Sequence, residues 1–358
     1  MGLKTIHIDQ FCAGFSPGDA ISNEAINLRN FLRKCGYKSD IYSEQFKENE
    51  NVKYYGRYHG NKNSIIIYHH SFYTEILHEL RKWSARKILI FHNVTPPYYV
   101  RQYNRKLAKT LFQAKNELRK IRKEFHEVAA DSIFNATVLK NLGFNNVTVL
   151  PVPVEFRELD ADFSFSESRL NFIRDGKLNV LFVGRIFPNK CHQDILKAFY
   201  FFQKLRPESR LLMVGPFHPG VRGYTAELNI LKRELGLCEK TFFTDMLSDQ
   251  EVVECYKNSN IFLSMSEHEG FFVPLLESMH YNLPILAYGS TVIPETLGNS
   301  GVIFYKKDFV RIAEMMVEII ENSELRNSII SRQSNRIQEF KSETSFSILL
   351  DLIKKIEK

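Results

Sequence analysis

The segment EHEGFFVPLLE, residues 267–277, contains two carboxylates that could take part in chemistry, Glu269 and Glu277. Pro274 is favoured at the first position of a helix, so we predict that Glu269 lies in a loop and Glu277 in the first helical turn. Because helical side chains lean toward the helix N-terminus, both carboxylates can face the space in front of this helix. This arrangement suits the binding of a polar ligand, although acids near a helix start also simply complement the helix dipole.

Two cations lie in a second candidate segment, VGRIFPNK, residues 183–190. We predict that a strand ends at Gly184 and that Arg185 and Lys190 lie in the loop before the next helix. Cations at the end of a strand and beside a helix N-terminus form a favourable phosphate site. Loop cations that are merely solvated are the simpler alternative, and this segment alone leaves both interpretations open.

Short apolar segments alternate with helical patterns along the whole chain. The predicted strands are residues 4–8, 39–43, 64–68, 87–91, 131–135 and 147–150 in the first half, and 179–184, 210–215, 241–243, 261–265, 284–288 and 301–305 in the second. The alternation predicts an α/β fold of two doubly wound, Rossmann-like domains with parallel sheets. Ligands of such sheets bind at the carboxyl ends of the strands, and we expect the two domains to face each other across a cleft.

The chain has 358 residues, which suits two domains of about 150 residues each. A polar stretch without periodicity, RELDADFSFSESR, separates the two halves. We predict an N-terminal domain at 1–155, a linker at 156–176 and a C-terminal domain at 177–335. A helical tail from Phe309 to Lys358 is longer than the second sheet needs, so we expect its final helix, at 336–358, to pack back on the N-terminal domain.

Composition excludes several classes of protein. The five cysteines are scattered and form no C-x-x-C, which argues against a disulfide framework or a zinc site. The sequence shows no secretion signal and no apolar stretch of about 18 residues, so we predict a soluble, cytoplasmic protein. The G-x-G-x-x-G fingerprint is absent after the first strand of each half, which disfavours hydride transfer.

A basic amphipathic helix is predicted between Arg101 and Phe125, where nine Lys or Arg accompany only two acids. The net charge of the chain is +7. The helix either presents a solvated face above a domain core or makes peripheral contact with an anionic membrane. No recognisable nucleic-acid-binding module accompanies the charge, so we expect no nucleic-acid partner.

The ordered set of motifs resembles the retaining family 4 glycosyltransferases of the GT-B fold. The segments GRIFPNK, TDMLSDQEVVECYKNSNIFLSMSEHEG, EGFFVPLLE and NLPILAYGSTVIPE carry the resemblance over most of residues 178–305. GDAISNEAINLRNFLRKCGY, FHNVTPP and ADSIFNATVLKNLGF match the first half more loosely. Similar segments occur in bacterial enzymes that build surface polysaccharides such as capsule and O-antigen.

The resemblance implies a role for each site residue, with the N-terminal domain on the acceptor side and the C-terminal domain binding the donor. It assigns a catalytic role to Arg185, Lys190, Glu269 and His92. It assigns donor binding to Gly184, Arg185, Lys190, Met246, Glu269, Gly270, Phe271, Phe272, Val273 and Glu277. It assigns Gly14, Gly18 and Asn93 to an acceptor or phosphate loop. Loop flexibility is an alternative reason for the glycines, and capping of a strand is an alternative role for His92.

The implied reaction moves a hexose-type sugar from a UDP- or GDP-sugar to a glycan or lipid-linked acceptor, with retention of configuration. Arg185 and Lys190 would hold the donor diphosphate, Glu269 the hydroxyls of the transferred sugar, and Glu277 the ribose. The family commonly has Gly where this chain has Phe272 and a Gly pair near Ser290. These departures affect the choice of donor more than the class of reaction.

We predict no cofactor and no obligatory metal, because two cations are already available for the diphosphate. Asp160 and Asp162 form a D-x-D sequence like the metal motif of another glycosyltransferase fold, but this sequence lies in the linker rather than at a strand end. Two alternatives to a transferase remain open. One is a nucleotide-sugar epimerase on a similar fold, and the other is a non-catalytic scaffold that binds polysaccharide or membrane.

Overall fold

The computed structural model describes residues 6–16, 18–46, 51–156, 158, 168 and 170–357. The chain divides into two compact units. The first unit consists of the described residues within Met1–Tyr98, Lys106–Glu155 and Phe340–Lys358, and the second of those within Tyr99–Arg105 and Phe156–Glu339. The residues at which each predicted domain begins and ends stay a prediction, and Asp160 and Asp162 lie outside the described residues.

The first unit contains a parallel sheet of seven strands in the order β3-β2-β1-β4-β5-β6-β7. The strands are β1 Ile8–Phe15, β2 Ile41–Phe46, β3 Lys53–Tyr54, β4 Ile65–His70, β5 Arg86–Phe91, β6 Glu127–Ala130 and β7 Val147–Val149. β4 and β5 consist mainly of buried apolar residues, as expected for strands covered on both faces. The direction of strand order reverses between β1 and β4, and this is the switch point of the sheet.

The second unit contains a parallel sheet of six strands in the order β10-β9-β8-β11-β12-β13. The strands are β8 Leu178–Val183, β9 Ser209–Val214, β10 Thr241–Phe243, β11 Ile261–Ser264, β12 Ile285–Tyr288 and β13 Val302–Phe304. Its switch point lies between β8 and β11, which pair in register at Ile261 and Val180. Both sheets confirm the predicted α/β class.

Helices connect the strands in both units. They are α1 Ala20–Lys34, α2 Ile76–Glu79, α3 Arg105–Lys120, α4 Ile133–Asn141, α5 His192–Leu205, α6 Arg222–Glu234, α7 Asp249–Lys257, α8 Val273–His280, α9 Ile293–Leu297, α10 Phe309–Glu321, α11 Ser323–Arg336 and α12 Ser342–Glu357. α12 belongs to the first unit, where Leu349, Leu352 and Ile353 share a buried cluster with Ile8 and Ile65. Among the described residues, no helix is both long and apolar enough to span a bilayer.

Three sequence predictions of local structure are wrong in detail. β1 begins at Ile8 and continues to Phe15, so Gly14 lies inside the strand and not in the loop after it. The predicted strand at 131–135 is instead the start of α4, because Ser132 caps the helix by accepting a hydrogen bond from the backbone of Asn135. The predicted basic helix is shorter than 101–125, since Tyr99–Arg105 belongs to the second unit and α3 ends at Lys120.

Candidate functional site

The predicted phosphate segment lies directly after β8, at the switch point of the second sheet. Gly184 follows β8, Arg185 is exposed, and Lys190 ends a single 3-10 turn that leads into α5. The turn passes into α5 through Cys191, whose φ is 52°. Strand end, cations and helix start therefore lie in the order that the sequence predicts.

Gly215, at the end of β9, supports this loop and was missed by the sequence analysis. A Cβ atom at Gly215 would lie 2.3 Å from the carbonyl oxygen of Gly184, and its φ is 141°. Any side chain there would displace the backbone that precedes Arg185. The sequence Val-Gly recurs at the ends of β8 and β9, and this repeat could have identified Gly215.

Lys190 and Glu269 form an ion pair between the loops that follow β8 and β11. The side chains are 17% and 6% exposed, so the pair is largely removed from water. The Lys190 ammonium also lies 5.0 Å from the centre of the Phe272 ring, within cation–π range. The structure thus brings together three residues that the sequence placed in one site.

Glu269 has one carboxylate oxygen engaged by Lys190, while its other oxygen, Oε1, is buried and has no hydrogen-bond partner among the described residues. The backbone N–H of Glu269 donates to the hydroxyl of Thr291 at 3.0 Å, which fixes the residue. Buried acceptors without partners are rare in folded proteins and suit a ligand donor. Glu269 can therefore accept a hydrogen bond from a hydroxyl group without giving up Lys190.

Hydrogen bonds hold the loops after β8, β11 and β12 together. The Asn189 side chain donates to the carbonyl of His268 at 2.6 Å, and the backbone of Glu267 donates to the carbonyl of Asn189 at 2.9 Å. The Ser290 hydroxyl donates to the carbonyl of Ser266 at 2.6 Å. Ser290 stands near the position where the family commonly has a Gly pair, and here its hydroxyl anchors the loop that precedes Glu269.

The start of α8 is set by Phe272, the residue before the helix, which has a left-handed backbone with φ 66° and ψ 62°. The helix begins at Val273 with Pro274 in its first turn, so Glu277 is its fifth residue and lies just beyond the predicted first turn. Glu277 accepts a hydrogen bond from the Tyr256 hydroxyl at 2.7 Å. Burial and the adjacent Glu277 carboxylate raise the pKa of Tyr256 well above its usual range, so this hydroxyl keeps its proton.

The resemblance also assigns Gly270, Phe271 and Met246 to the donor. Gly270 and Phe271 lie between Glu269 and Phe272, and Phe271 is buried. Met246 follows β10 and is 61% exposed. Met246 therefore exposes much of its apolar side chain.

His92 belongs to the first unit and follows β5. Its Nδ1 lies 3.4 Å from Asp131 Oδ2 and 3.6 Å from Glu24 Oε2, and its Nε2 lies 3.0 Å from Nδ1 of His69. Burial lowers the pKa of His92, but the two carboxylates outweigh burial and raise the pKa above its usual value. Glu24, His69 and Asp131 are not identifiable from the sequence, since no spacing links them along the chain.

The three other first-unit residues lie near the ends of β1 and β5. Asn93 has a φ of 70°, and its amide donates to the side chain of Asn135 at 2.6 Å. Gly18 has a φ of 83° and open space at its Cβ position, whereas Gly14 is part of β1. Asn93 and Gly18 therefore have the backbone conformations of tight turns.

Two groups of residues within the described parts of the chain have the side chains to hold a metal ion. One is Glu24, His69 and His92, whose ligand atoms lie within 4.8 Å of one another. The other is Cys191, Asp194 and Glu267, where the Lys307 ammonium lies 2.8 Å from Asp194 and 2.6 Å from Glu267. The ammonium of Lys307 thus already pairs with both carboxylates of the second group.

Comparison with known proteins shows which families this site resembles. Residues 165–336, which contain the β8 and β11 loops and α8, match the family described as "Glycosyl transferases group 1". The chain is 21% identical to the capsular polysaccharide biosynthesis glycosyltransferase CapM of Staphylococcus aureus over 215 residues, which is 60% of this chain and 54% of that protein. It is 23% identical to the O-antigen chain mannosyltransferase B of Escherichia coli over 161 residues, covering 45% of this chain and 41% of that protein. The chain thus spans about half the length of these relatives.

The fold is that of solved GT-B glycosyltransferases. The structure of HepE from Anabaena, solved in complex with UDP and glucose, superimposes with a TM-score of 0.76 over 98% of this chain and 99% of that one, at 16% identity. An identity this low establishes the fold alone. It confirms the predicted GT-B architecture of two Rossmann-like sheets.

Proposed function

We propose that this protein is a retaining glycosyltransferase of surface-polysaccharide synthesis, because residues 165–336 match the family "Glycosyl transferases group 1". It transfers a hexose-type sugar from a UDP- or GDP-sugar to a glycan or lipid-linked acceptor. The observation that carries the proposal is the Lys190–Glu269 pair at the switch point of the second sheet, with one buried carboxylate oxygen still available. The UDP and glucose bound by HepE support a nucleotide-sugar donor.

The donor diphosphate is proposed to bind Arg185, Lys190 and the backbone amides from Gly270 to Val273. Lys190 is proposed to contact the diphosphate while it keeps its ion pair with Glu269, whose available Oε1 accepts from the sugar hydroxyls. The cations then stabilise the charge that develops on the leaving phosphate. Glu277 is proposed to accept hydrogen bonds from the ribose, in place of or beside Tyr256.

In the proposed reaction, an acceptor oxygen forms a bond to the anomeric carbon while the bond from that carbon to the phosphate oxygen breaks. The acceptor proton moves to the leaving nucleoside diphosphate on the same face, so no enzyme nucleophile is required. His92 in the first unit is proposed to act on the transferred sugar, and Gly14, Gly18 and Asn93 on acceptor or phosphate. No step in this reaction uses a metal ion.

The test is turnover of a panel of UDP- and GDP-sugars, measured first as slow hydrolysis so that no acceptor has to be known. Lys190→Ala is expected to reduce turnover by about 10²–10³-fold, as removal of one group that stabilises the transition state does. Lys204→Ala, an exposed lysine at the end of α5, is the matched control and is expected to leave turnover unchanged. Equal turnover in the Lys190→Ala variant and the wild type would remove Lys190 from the mechanism.

The same panel separates the alternatives. An isomerised donor without acceptor would indicate an epimerase. No binding of UDP or GDP by calorimetry would indicate a scaffold without catalytic function.

We further propose that α3 contacts an anionic membrane, close to a lipid-linked acceptor. Its buried face consists of Ala108, Leu111, Ala114 and Leu118. Its other side carries most of the basic residues of this region together with Phe112, which is 61% exposed. An exposed aromatic ring among cations is the arrangement that inserts at the headgroup level of an anionic bilayer.

Vesicle flotation tests this contact. The wild type is expected to float with vesicles of phosphatidylglycerol and phosphatidylcholine at low salt, and to be released at high salt or from phosphatidylcholine alone. A Phe112→Ser, Lys109→Glu double variant is expected to lose flotation, whereas Lys204→Glu in the second unit retains it. Equal flotation of the double variant and the wild type would leave α3 as a solvated face.

A further inference from the structure

A chain of hydrogen-bonded, buried side chains runs from β1 through β4 to His92, the residue that follows β5. Gln10, on β1, donates through Nε2 to the carbonyl of Ala25 at 2.8 Å. Its Oε1 lies 2.9 Å from Nε2 of His69, on β4. His69 Nδ1 in turn lies 3.0 Å from Nε2 of His92, and Gln10 and His69 have no solvent exposure.

The positions of the protons along this chain follow from its first hydrogen bond. Because the Ala25 carbonyl can only accept, the Gln10 amide nitrogen faces it and the Gln10 oxygen faces His69. His69 Nε2 must therefore carry a proton. Burial lowers the pKa of His69 well below its usual value, so His69 is neutral and its Nδ1 can only accept. The proton of the next hydrogen bond consequently belongs to His92 Nε2.

The opposite nitrogen of His92 faces two carboxylates. Asp131 Oδ2 is 3.4 Å away, and Asp131 Oδ1 is already occupied by the side chains of Asn135 and Ser132. Glu24 Oε2 is 3.6 Å away, and neither oxygen of this buried carboxyl has a hydrogen-bond partner among the described residues. An unprotonated Nδ1 would turn its lone pair toward the oxygens of these two carboxylates, so we assign a proton to Nδ1 as well.

We propose that Gln10, His69 and Glu24 are positioning residues, which hold His92 as an imidazolium with its Nε2–H bonded to His69 and its Nδ1–H directed at the carboxyl groups of Asp131 and Glu24. His92 then serves the reaction as a fixed positive charge. This last step rests on the proposed function, whereas the proton positions do not. The same protonation excludes His92 as a general base or as a metal ligand, because both require a lone pair.

The charge balance around His92 gives the direction of its pH dependence. Three carboxyl groups face it, from Glu24 on α1, Asp19 just before α1 and Asp131 after β6. Two histidines of β4, His69 and His70, face it as well. Burial raises the pKa of Glu24 to about 7, with Asp131 adding to the rise and His92 opposing it. Removal of the Glu24 charge should therefore lower the pKa of His92, and the imidazolium should deprotonate at lower pH.

The decisive experiment is NMR of the full chain labelled with ¹⁵N in the histidine rings, followed over pH. His92 is expected to show two protonated ring nitrogens at neutral pH. Glu24→Gln, which keeps the shape of Glu24, is expected to shift the His92 titration midpoint downward. His78→Gln, an exposed histidine, is the control that identifies signals and leaves the midpoint unchanged. An unprotonated Nε2 in the wild type, or an unchanged midpoint in Glu24→Gln, would overturn the proposal.

Turnover of the donor provides a separate readout for His69. His69→Leu removes the acceptor for His92 Nε2 and is expected to lower kcat roughly tenfold, the effect of losing one buried hydrogen bond. His69→Gln offers an amide oxygen to the same N–H and is expected to restore most of kcat. Equal kcat in His69→Leu and wild type would overturn the positioning role. The NMR result decides the proton positions even if no donor is turned over, so the two failures can be told apart.

Discussion

Phe272 combines an unfavourable backbone conformation with favourable packing of its ring. Its left-handed backbone costs about 1–2 kcal/mol for a residue other than glycine. Its ring is buried, lies 6.1 Å from the Phe262 ring, and receives the Lys190 ammonium at 5.0 Å. Burial of a phenylalanine contributes about 1.5–3 kcal/mol, which offsets the backbone cost. The packing therefore explains how this chain tolerates Phe where the family commonly has Gly.

Substitution of Phe272 separates the two effects. Phe272→Ala is expected to lower the free energy of unfolding by about 3–5 kcal/mol, because the packing of the ring is lost. Phe272→Gly loses the same packing but also removes the cost of the left-handed backbone. Its free energy of unfolding should therefore be about 1 kcal/mol higher than that of the Ala variant. Urea titration of both variants measures the difference. An Ala variant as stable as the Gly variant would contradict the assigned conformation.

The sequence could predict the position of most site residues but not their pairing. Strand ends and Pro274 locate Lys190 and Glu269 in loops, because these features depend on local chain chemistry. The contact between the two side chains depends on the register of β8 against β11, which local patterns do not specify. Glu24, His69 and Asp131 were missed for the same reason, since they come from α1, β4 and the residue after β6.

At the level of elements, the sequence predicts strands well where an apolar segment is long and buried. The second sheet matches its predicted strands to within one residue at almost every end. The predicted strand at 131–135 failed because Ser132 acts as a helix cap, and a short apolar segment after a cap fits either structure. The association of Tyr99–Arg105 with the second unit was not predictable, because it depends on tertiary contacts such as Tyr103 to Glu227 at 2.6 Å.

α7 offers a direct test of helix capping. Ser248 accepts a hydrogen bond from the backbone of Glu251, and the Glu251 side chain accepts one from the backbone of Ser248. Ser248→Ala removes this capping box and is expected to lower the free energy of unfolding by about 1 kcal/mol. Ser334→Ala is the control, since that exposed hydroxyl within α11 bonds to the carbonyl of Ile330 one turn earlier and caps no helix. Equal urea midpoints for the two variants would show that the cap contributes nothing.

At the level of the whole molecule, each unit has its own sheet and its own buried residues. The cluster of the first unit contains residues from both early and late parts of the chain, including Ile8, Leu28, Leu349 and Leu352. Arg86 also bonds through its guanidinium to the carbonyl of Ile356. The late helix α12 is therefore a structural part of the first unit and not an appendage.

Hydrogen exchange can test how far a local defect spreads. Leu352→Ala is expected to cost about 2–5 kcal/mol and to increase amide exchange in β1, β4 and β5. Leu276→Ala, a fully buried residue of α8, should instead increase exchange in β11 and β12. Each variant serves as the control for the other, and mass spectrometry of peptides measures the amide exchange. Increased exchange throughout the chain in either variant would contradict separate cooperative units.

The late position of α12 also has a consequence for synthesis. Translation at about 5–20 residues per second separates Ile8 from Leu349 by tens of seconds on the ribosome. During this interval the first sheet lacks the apolar helix that completes its core, while the second unit has time to form. The unit that is translated first is therefore completed last. From the synthesis of β7 until α12 emerges, the nascent first sheet presents an uncovered apolar surface to chaperones.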